Sequence, residues 1–323
     1  MKVIASVPTY NSETTIEETL YSLIKQSHPF HEIRVYDNHS SDKTVEIVSQ
    51  MMKVCPILKL IMNEVNVGAE GNFTRCISEA EGDLIVIAHA DDVYHLDFNK
   101  NVVAEFLKND QVVASFCAAN EIDQAGKVIG KRFIPHEIDL ESSSYLNKVQ
   151  AMELFYKFGN FITCPSVVAR SSIMREKIKT WNGTTFKTSA DLDVWIRLLD
   201  YGDMVFINKN LINYRVAEAS YSYRIAKRRM TKHDIFLVLE SDENKVFGHK
   251  FRTYLNFLLN KDYANCFLNT LRTKDQKQIS VFNWNTDFNF FHLVKVGTSS
   301  FWHLKMLFAI LGLRAMYLLK RLL

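Results

Sequence analysis

Short, nearly continuous apolar runs alternate with stretches of helical spacing through the first 118 residues. "KVIASV" (2–7), "EIRVYD" (32–37), "ILKLIM" (57–62), "DLIVIA" (83–88) and "VVASFCA" (112–118) read as strands. Between them, apolar residues recur every three or four positions. Ile16, Leu20, Leu23 and Ile24 form one such set, Val45, Val48 and Met52 a second. Phe73 and Ile77 mark a helix over about 70–81, and Phe98, Val102, Phe106 and Leu107 a fourth. Asn11 or Ser12 would cap the first helix, and Ser41 or Asp42 the second.

Strands without polar alternation, joined by helices, imply a parallel sheet covered on both faces. Such sheets bind ligands at the carboxyl ends of their strands. Three polar clusters follow three strand ends here: "PTYN", "DNHSSD" and "HADD". They are expected to line one crevice.

Beyond residue 130 the rhythm breaks. "IPHEIDLESSS" reads as a loop, 146–158 as a helix, "NFITCPSVVAR" as an apolar segment and "ADLDVWIRLLDYG" (190–202) as a helix. Strands near 204–207 and 211–215 follow. After 222 the pattern is mainly helical, with aromatic-rich segments around 235–239, 251–259 and 281–293. Charge shifts at the same place. Residues 1–222 carry 22 Lys+Arg against 29 Asp+Glu, and residues 223–323 carry 17 against 7. We therefore expect an α/β domain over 1–222, divided into halves 1–120 and 121–222, and a basic helical region over 223–323.

A chain of 323 residues with 47% hydrophobic and 23% charged residues is folded rather than disordered. Its five cysteines, Cys55, Cys76, Cys117, Cys164 and Cys266, include no C-x-x-C pair and fit a reducing cytosol. The opening "MKVIASVPTYN" does not read as a signal peptide, and no run approaches the length of a membrane span.

Adjacent Asp91 and Asp92 after a buried strand suit a divalent cation, since carboxylate oxygens match Mg²⁺ or Mn²⁺. A helix-capping pair is the plainer alternative. Asp37 would hold a ribose hydroxyl or a base N–H, and Asn38 offers both donor and acceptor to a base edge. Asp42 reads as a helix cap. Tyr10 is a stacking ring or simple packing. Asp191, at a helix start, is a general base or a cap.

Taken in order, "VPTYN", "VYDNHSSDKT", "NEVNVGAEGNFTRCISEAEGDLIVIAHADD", "CPSVVAR" and "SADLDVWIRLLDYG" followed by "NYRVAEASYS" resemble family 2 glycosyltransferases across roughly 1–222. The resemblance implies a GT-A fold: a Rossmann-like, mostly parallel sheet flanked by helices, with inverting transfer of a sugar from a nucleotide diphosphate. It implies that Pro8, Thr9, Tyr10, Asn11, Asp37, Asn38, Asp91 and Arg215 serve the donor nucleotide, Arg215 with Tyr214 on a closing loop. Asp92 with Asp91 would hold Mn²⁺ or Mg²⁺, and Asp191 would be the catalytic base.

Some positions depart from the family pattern. His89 stands where many relatives have the first Asp of a D-x-D-D run, and it is left out of the metal site. Asn38 replaces a second Asp, Ala190 an acidic or small residue, and Val216-Ala217 lack a histidine found in some relatives. A sugar nucleotidyltransferase would need a glycine-rich basic loop where "PTYNSE" stands. A non-catalytic nucleotide- or saccharide-binding homologue is the other alternative.

The implied partners are a nucleotide-diphosphate sugar donor and a saccharide or lipid-linked saccharide acceptor in surface polysaccharide synthesis. No nucleic-acid motif accompanies the basic tail. "YRIAKRRMTKH" (223–233) and "FWHLKMLFAILGLRAMYLLKRLL" (301–323) are either helices packed with solvated basic faces or an attachment to an anionic membrane. The corresponding location is cytoplasmic, with peripheral association on the inner face of the membrane as the second reading.

Overall fold

The computed structural model describes residues 1–139, 143–216, 229–273, 282–284 and 290–322. The expected strands and helices form where the pattern places them. β1 (Val3–Thr9) and β4 (Leu84–Ile87) are buried at every position, as strands covered on both faces must be. β2 (Glu32–Asp37) lies beside β1, and β3 (Leu58–Met62) at the edge is partly exposed. The connecting helices are α1 (Ile16–Ile24), α2 (Thr44–Met52), α3 (Gly68–Ser78) and α4 (Phe98–Lys108). Asp42 does hold the start of α2. Its Oδ1 accepts the N–H of Thr44 at 3.0 Å and its Oδ2 that of Glu13 at 3.0 Å.

The sheet continues with β5 (Val93–Tyr94), β6 (Val112–Ile122), β7 (Val128–Lys131), β8 (Ser144–Leu146), β9 (Val168–Arg170) and β10 (Asp203–Arg215). The strand order is β3-β2-β1-β4-β9-β6-β10-β5, with β7 on β6 and β8 on β10. β3-β2-β1-β4 are parallel. β6, the strand read at 112–118, does not pair with β4. β9 lies between β4 and β6, antiparallel to both. The two strands expected near 204–207 and 211–215 are one, β10, whose ladder with β6 shifts register around Ile207, Asn210 and Ile212. The polar "NKN" at that irregularity interrupts the apolar run and makes one strand look like two.

The order reverses at β1: the chain steps outward to β2 and β3, then returns to β4 on the other side. Pro8 helps to open the sheet there. The β1–β4 ladder ends at Ser6↔Ile87, with the Ala88 N–H donating to Ser6 O at 2.8 Å. The next donor along that edge of β1 would be residue 8, and proline has none. β4 can therefore leave the sheet, and residues 88–92 turn across its end.

The chain divides into two compact units. One comprises Met1–Ala151 with Phe161–Ala217, the other Met152–Asn160 with Glu218–Leu323. The 1–222 division read from the sequence differs in two ways: the boundary falls after Ala217, and α5 (Lys148–Phe158) is divided between the units. Its later residues belong to the second unit, where Tyr156 donates to Leu239 O at 2.6 Å and the Phe158 ring lies 5.0 Å from that of His303. That unit is helical, as expected, with a core of Phe257, Phe267, Trp284, Leu293 and Tyr317. Of the basic run 223–233, residues 223–228 lie outside the described residues. Arg229 is taken out of solvent by Asp262, whereas Lys232, paired with Glu240, stays exposed.

Gly202 brings β10 in beside the start of β6. A Cβ there would stand 2.3 Å from Gln111 O and 2.5 Å from Val113 Cγ1. The Gln111 carbonyl is backbone and cannot yield without moving the start of β6. Gly202→Ala is expected to lower stability by about 2 kcal/mol, read as a shift of the urea midpoint at unchanged slope.

Candidate active site

The carboxyl ends of β1, β2 and β4 meet at the opening left by Pro8. Thr9 pairs in register with Asp37, and the Asn38 N–H donates to Thr9 O at 2.9 Å. Thr9 and Asp37 are both buried, and each keeps an oxygen without a partner: Thr9 Oγ1 and Asp37 Oδ1. Asp37 Oδ2 accepts the Ser40 N–H at 2.9 Å. Buried oxygens are seldom left unpaired. Two of them at one strand-end junction form a natural seat for a polar ligand. Beside them Tyr10 is 50% exposed, with its ring available.

Two other candidates in this corner have different work. Asn38 Nδ2 donates to Asn66 Oδ1 at 2.9 Å and Gly68 O at 3.1 Å, while its Oδ1 accepts from Asn63 Nδ2 and the Val67 N–H. No donor or acceptor of the amide is left for a base edge; it fastens the 63–68 loop to β2. Asn11, at φ 49°, accepts the Ser41 N–H on its side chain, and its own N–H donates to Ser40 Oγ. It links the loops after β1 and β2.

At the end of β4 the electrostatics are sharper. Asp92 is fully buried; its Oδ1 accepts the backbone N–H of Arg215 at 2.8 Å, and its Oδ2 has no hydrogen-bond partner. Burial, and then the charge of Asp91, push this carboxyl well above the ordinary carboxylate range. His89 is held in its neutral form by burial. Its Nδ1 is 3.9 Å from Asp92 Oδ2 and its Nε2 is buried without a partner. One ligand atom from each of His89, Asp91 and Asp92 lies within 4.8 Å of the others. Two carboxylates and a neutral imidazole are a donor set that fits Mn²⁺ well and Mg²⁺ through its oxygens. The structure thus returns His89 to the group from which the sequence pattern removed it.

The guanidinium of Arg215 is committed elsewhere than to a diphosphate. Nε donates to Asp91 O at 2.7 Å, Nη1 to Asp123 O and Gln124 O at 2.9 Å, and Nη2 to Glu18. Arg215 braces the turn that carries the two aspartates. Its neighbour Tyr214 packs under the Arg132 guanidinium at 5.2 Å, and burial pushes its hydroxyl pKa up. Glu18 and Arg132 carry no motif that would have marked them in the sequence.

Asp191 lies in the first turn of the helix Ala190–Leu198, half-buried, its Oδ1 accepting the Leu192 N–H at 2.8 Å. Asp193 fixes that helix. It is buried, pairs with Arg197 and accepts from Asn182 at 2.9 Å, while Arg197 donates to Ile178 O and Thr180 O. Cys164 relates the two acidic stations. Its thiol pKa is raised by burial, then by the charge of Asp191, then by that of Asp92. Carboxylates 99 positions apart therefore act on one sulfur. An aromatic wall completes the site: Phe73 lies 4.6 Å from Trp181 and edge-on to His89 at 5.7 Å. Below it, a small recess lined by Ile85, Ile87, Cys164, Trp181 and Trp195 encloses the unpartnered Trp195 Nε1. Only the scarcity of tryptophan, four in the chain, hinted at these residues.

A crevice at the carboxyl ends of the strands, where the strand order reverses, is the place at which Rossmann-like sheets bind their ligands. Comparison with known proteins agrees. Residues 5–175 match the Glycosyl transferase family 2 profile, and the chain belongs to that family of glycosyltransferases. It is 27% identical over 216 residues to TuaG of Bacillus subtilis, assigned to teichuronic acid biosynthesis, covering 67% of this chain and 79% of that one. It is 26% identical over 232 residues to WfgD of Escherichia coli, a UDP-Glc:alpha-D-GlcNAc-diphosphoundecaprenol beta-1,3-glucosyltransferase, covering 71% and 83%. Among solved structures, TarS 1–349 of S. aureus in complex with UDP superposes with a TM-score of 0.60 at 20% identity, covering 88% of this chain and 79% of that one. The GT-A fold is thereby shared.

The raised pKa of Asp92 has a signed consequence. A carboxyl whose folded value exceeds its unfolded one favours folding below the ordinary value of 3.8, and loses that contribution as pH climbs to the folded value. Asp92→Asn removes the titration and keeps an acceptor for the Arg215 N–H. In metal-free protein, the advantage of the variant over the native chain should grow by about 1.4 kcal/mol per pH unit within that window and then level off. Denaturant titrations at several pH values would read it. A flat difference would mean that Asp92 is not raised.

Proposed function

We propose that this crevice binds a nucleotide-diphosphate sugar and transfers its sugar, with inversion, to a hydroxyl of a saccharide or lipid-linked saccharide in cell-envelope polysaccharide synthesis. The observation that carries the reading is the buried Asp92 carboxyl with an open oxygen beside Asp91 and His89. In this reading residues 1–120 form the nucleotide half and 121–222 supply the acceptor half, and the enzyme works at the cytoplasmic face of the membrane.

The geometry supports the following roles. Thr9 Oγ1 and Asp37 Oδ1 would accept hydrogen bonds from the nucleoside, and Tyr10 would stack on its base. Asp91 and Asp92, with His89 alongside, would hold Mn²⁺ or Mg²⁺, which when bound would offset charge on the diphosphate. Asp191 would take the proton of the acceptor hydroxyl as its oxygen bonds to the anomeric carbon. The bond from that carbon to the diphosphate breaks on the opposite face, with the electron pair leaving on the nucleotide. A first-turn position is where the helix dipole favours a carboxylate such as Asp191. Arg215 acts by position, holding the 91–92 turn rather than touching the donor. The names of the relatives are consistent with this assignment, since WfgD is named for a UDP-sugar donor and a lipid diphosphate acceptor.

Two measurements test it. A panel of nucleotide sugars with Mn²⁺ should reveal one that is slowly hydrolysed, and Asp191→Asn should lower turnover by at least about a thousandfold while the thermal shift from the nucleoside diphosphate persists. Retained transfer in that variant removes Asp191 as base. Tyr10→Ala should weaken nucleoside diphosphate binding by about tenfold, measured calorimetrically, with little change in the melting temperature of the free protein.

A further inference from the structure

The last helix, Phe301–Leu322, is apolar nearly all the way round. One side, Leu307, Ile310 and Tyr317, is buried in the core of the second unit. The other side faces solvent, with Phe308 67%, Leu319 63%, Leu318 49% and Met316 45% exposed. At about 100° per residue these four fall within about 80° either side of Phe308. Lys305 lies in the same sector and Lys320 about 40° beyond it, both exposed. A helix apolar on both faces is ordinarily covered on both, and single exposed apolar residues do not usually gather in this way.

The charges decide what covers it. Residues 290–323 contain Lys295, Lys305, Arg314, Lys320 and Arg321 and no acidic residue. A second copy packed across a two-fold axis would set Lys305 and Lys320 against their own equivalents, a repulsive arrangement. An anionic bilayer reverses that sign, taking the apolar side chains below its headgroups and the lysines among its phosphates. Among the described residues no helix is long and apolar enough to cross a membrane, so the helix would lie along the surface. Arg314 does not belong to this face; its Nη1 donates to Trp284 O at 3.0 Å and its guanidinium packs on the Trp284 ring.

We propose that the outer face of this helix, built on Phe308, Met316, Leu318 and Leu319 with Lys305 and Lys320, is a docking surface for an anionic membrane. It rests on the transferase reading only for its purpose, which is to bring the enzyme to a lipid-linked acceptor.

The test is sedimentation of the full chain with vesicles of phosphatidylcholine, alone or with phosphatidylglycerol, at low and high salt. The native chain should partition into anionic vesicles at least tenfold better than into neutral ones, less so at high salt. Phe308→Gln/Leu319→Gln should lower that partition at least tenfold. Lys305→Glu/Lys320→Glu should remove the anionic preference, so a folding defect in one variant does not decide the matter. Equal binding to both vesicles, no binding, or variants that bind as the native chain does would overturn the proposal. So would a concentration-dependent dimer that the glutamine pair dissociates. Binding is read without substrate. A vesicle-bound chain that turns over no nucleotide sugar would sink the transferase reading alone, and an active chain that ignores vesicles would sink this surface alone.

Discussion

The bond from the Arg215 N–H to Asp92 Oδ1 joins positions 123 residues apart and decides the form of the site. A hydrogen bond to a buried carboxylate contributes about 1.5–3 kcal/mol, and here it also chooses which oxygen stays open. With Oδ1 engaged by β10, Oδ2 is left toward His89. The side chain of the same residue completes the brace, reaching Asp91 O, two carbonyls of the 123–124 turn and Glu18 on α1. Only a guanidinium carries donors enough, in a fixed plane, to hold three separate segments together; a lysine ammonium has three donors and no such fork. The position therefore depends on arginine for architecture before any ligand is considered.

The strand ends of the parallel half were readable because buried parallel strands leave continuous apolar runs, and polar residues can only follow where those runs stop. Asp37, Asp91 and Asp92 were legible for that reason. Asp191 was legible from its place at the start of a strongly periodic helix. β9 was not: three residues are too few to show a period, and nothing local signals that Val168–Arg170 inserts antiparallel between β4 and β6. The roles of Asn38 and Arg215 were hidden for a different cause. Each is defined by partners distant in the chain, Asn66 and Gly68 for the one and Glu18 for the other. Residue type made Asn38 look like a ligand contact, and the family resemblance did the same for Arg215.

His89 shows the opposite error. Comparison with the commoner family pattern set it aside as a departure, yet its spacing to Asp92 puts its ring on the same turn, with Nδ1 3.9 Å from Asp92 Oδ2. Histidine also differs from aspartate in a way that suits the place. A third carboxylate would add like charge to a carboxyl already pushed upward by burial and then by Asp91. A neutral imidazole offers a ligand atom without that addition.

The balance of charge around Asp92 bears on how a donor could enter. Asp91, Asp92, Glu18 and Glu121 supply four carboxylates, against the guanidiniums of Arg215 and Arg132, which pair with Glu18 and Glu121. With Asp92 ionised the cluster is net negative, and a diphosphate alone would be repelled. A divalent cation cancels that excess, and a diphosphate arriving with its own cation adds little net charge. Cation and donor should therefore enter together or in that order. In the proposed reading the Asp92 carboxyl would have to give up its proton to hold such a cation, and its burial would keep the resulting interaction strong because little water is present to screen it.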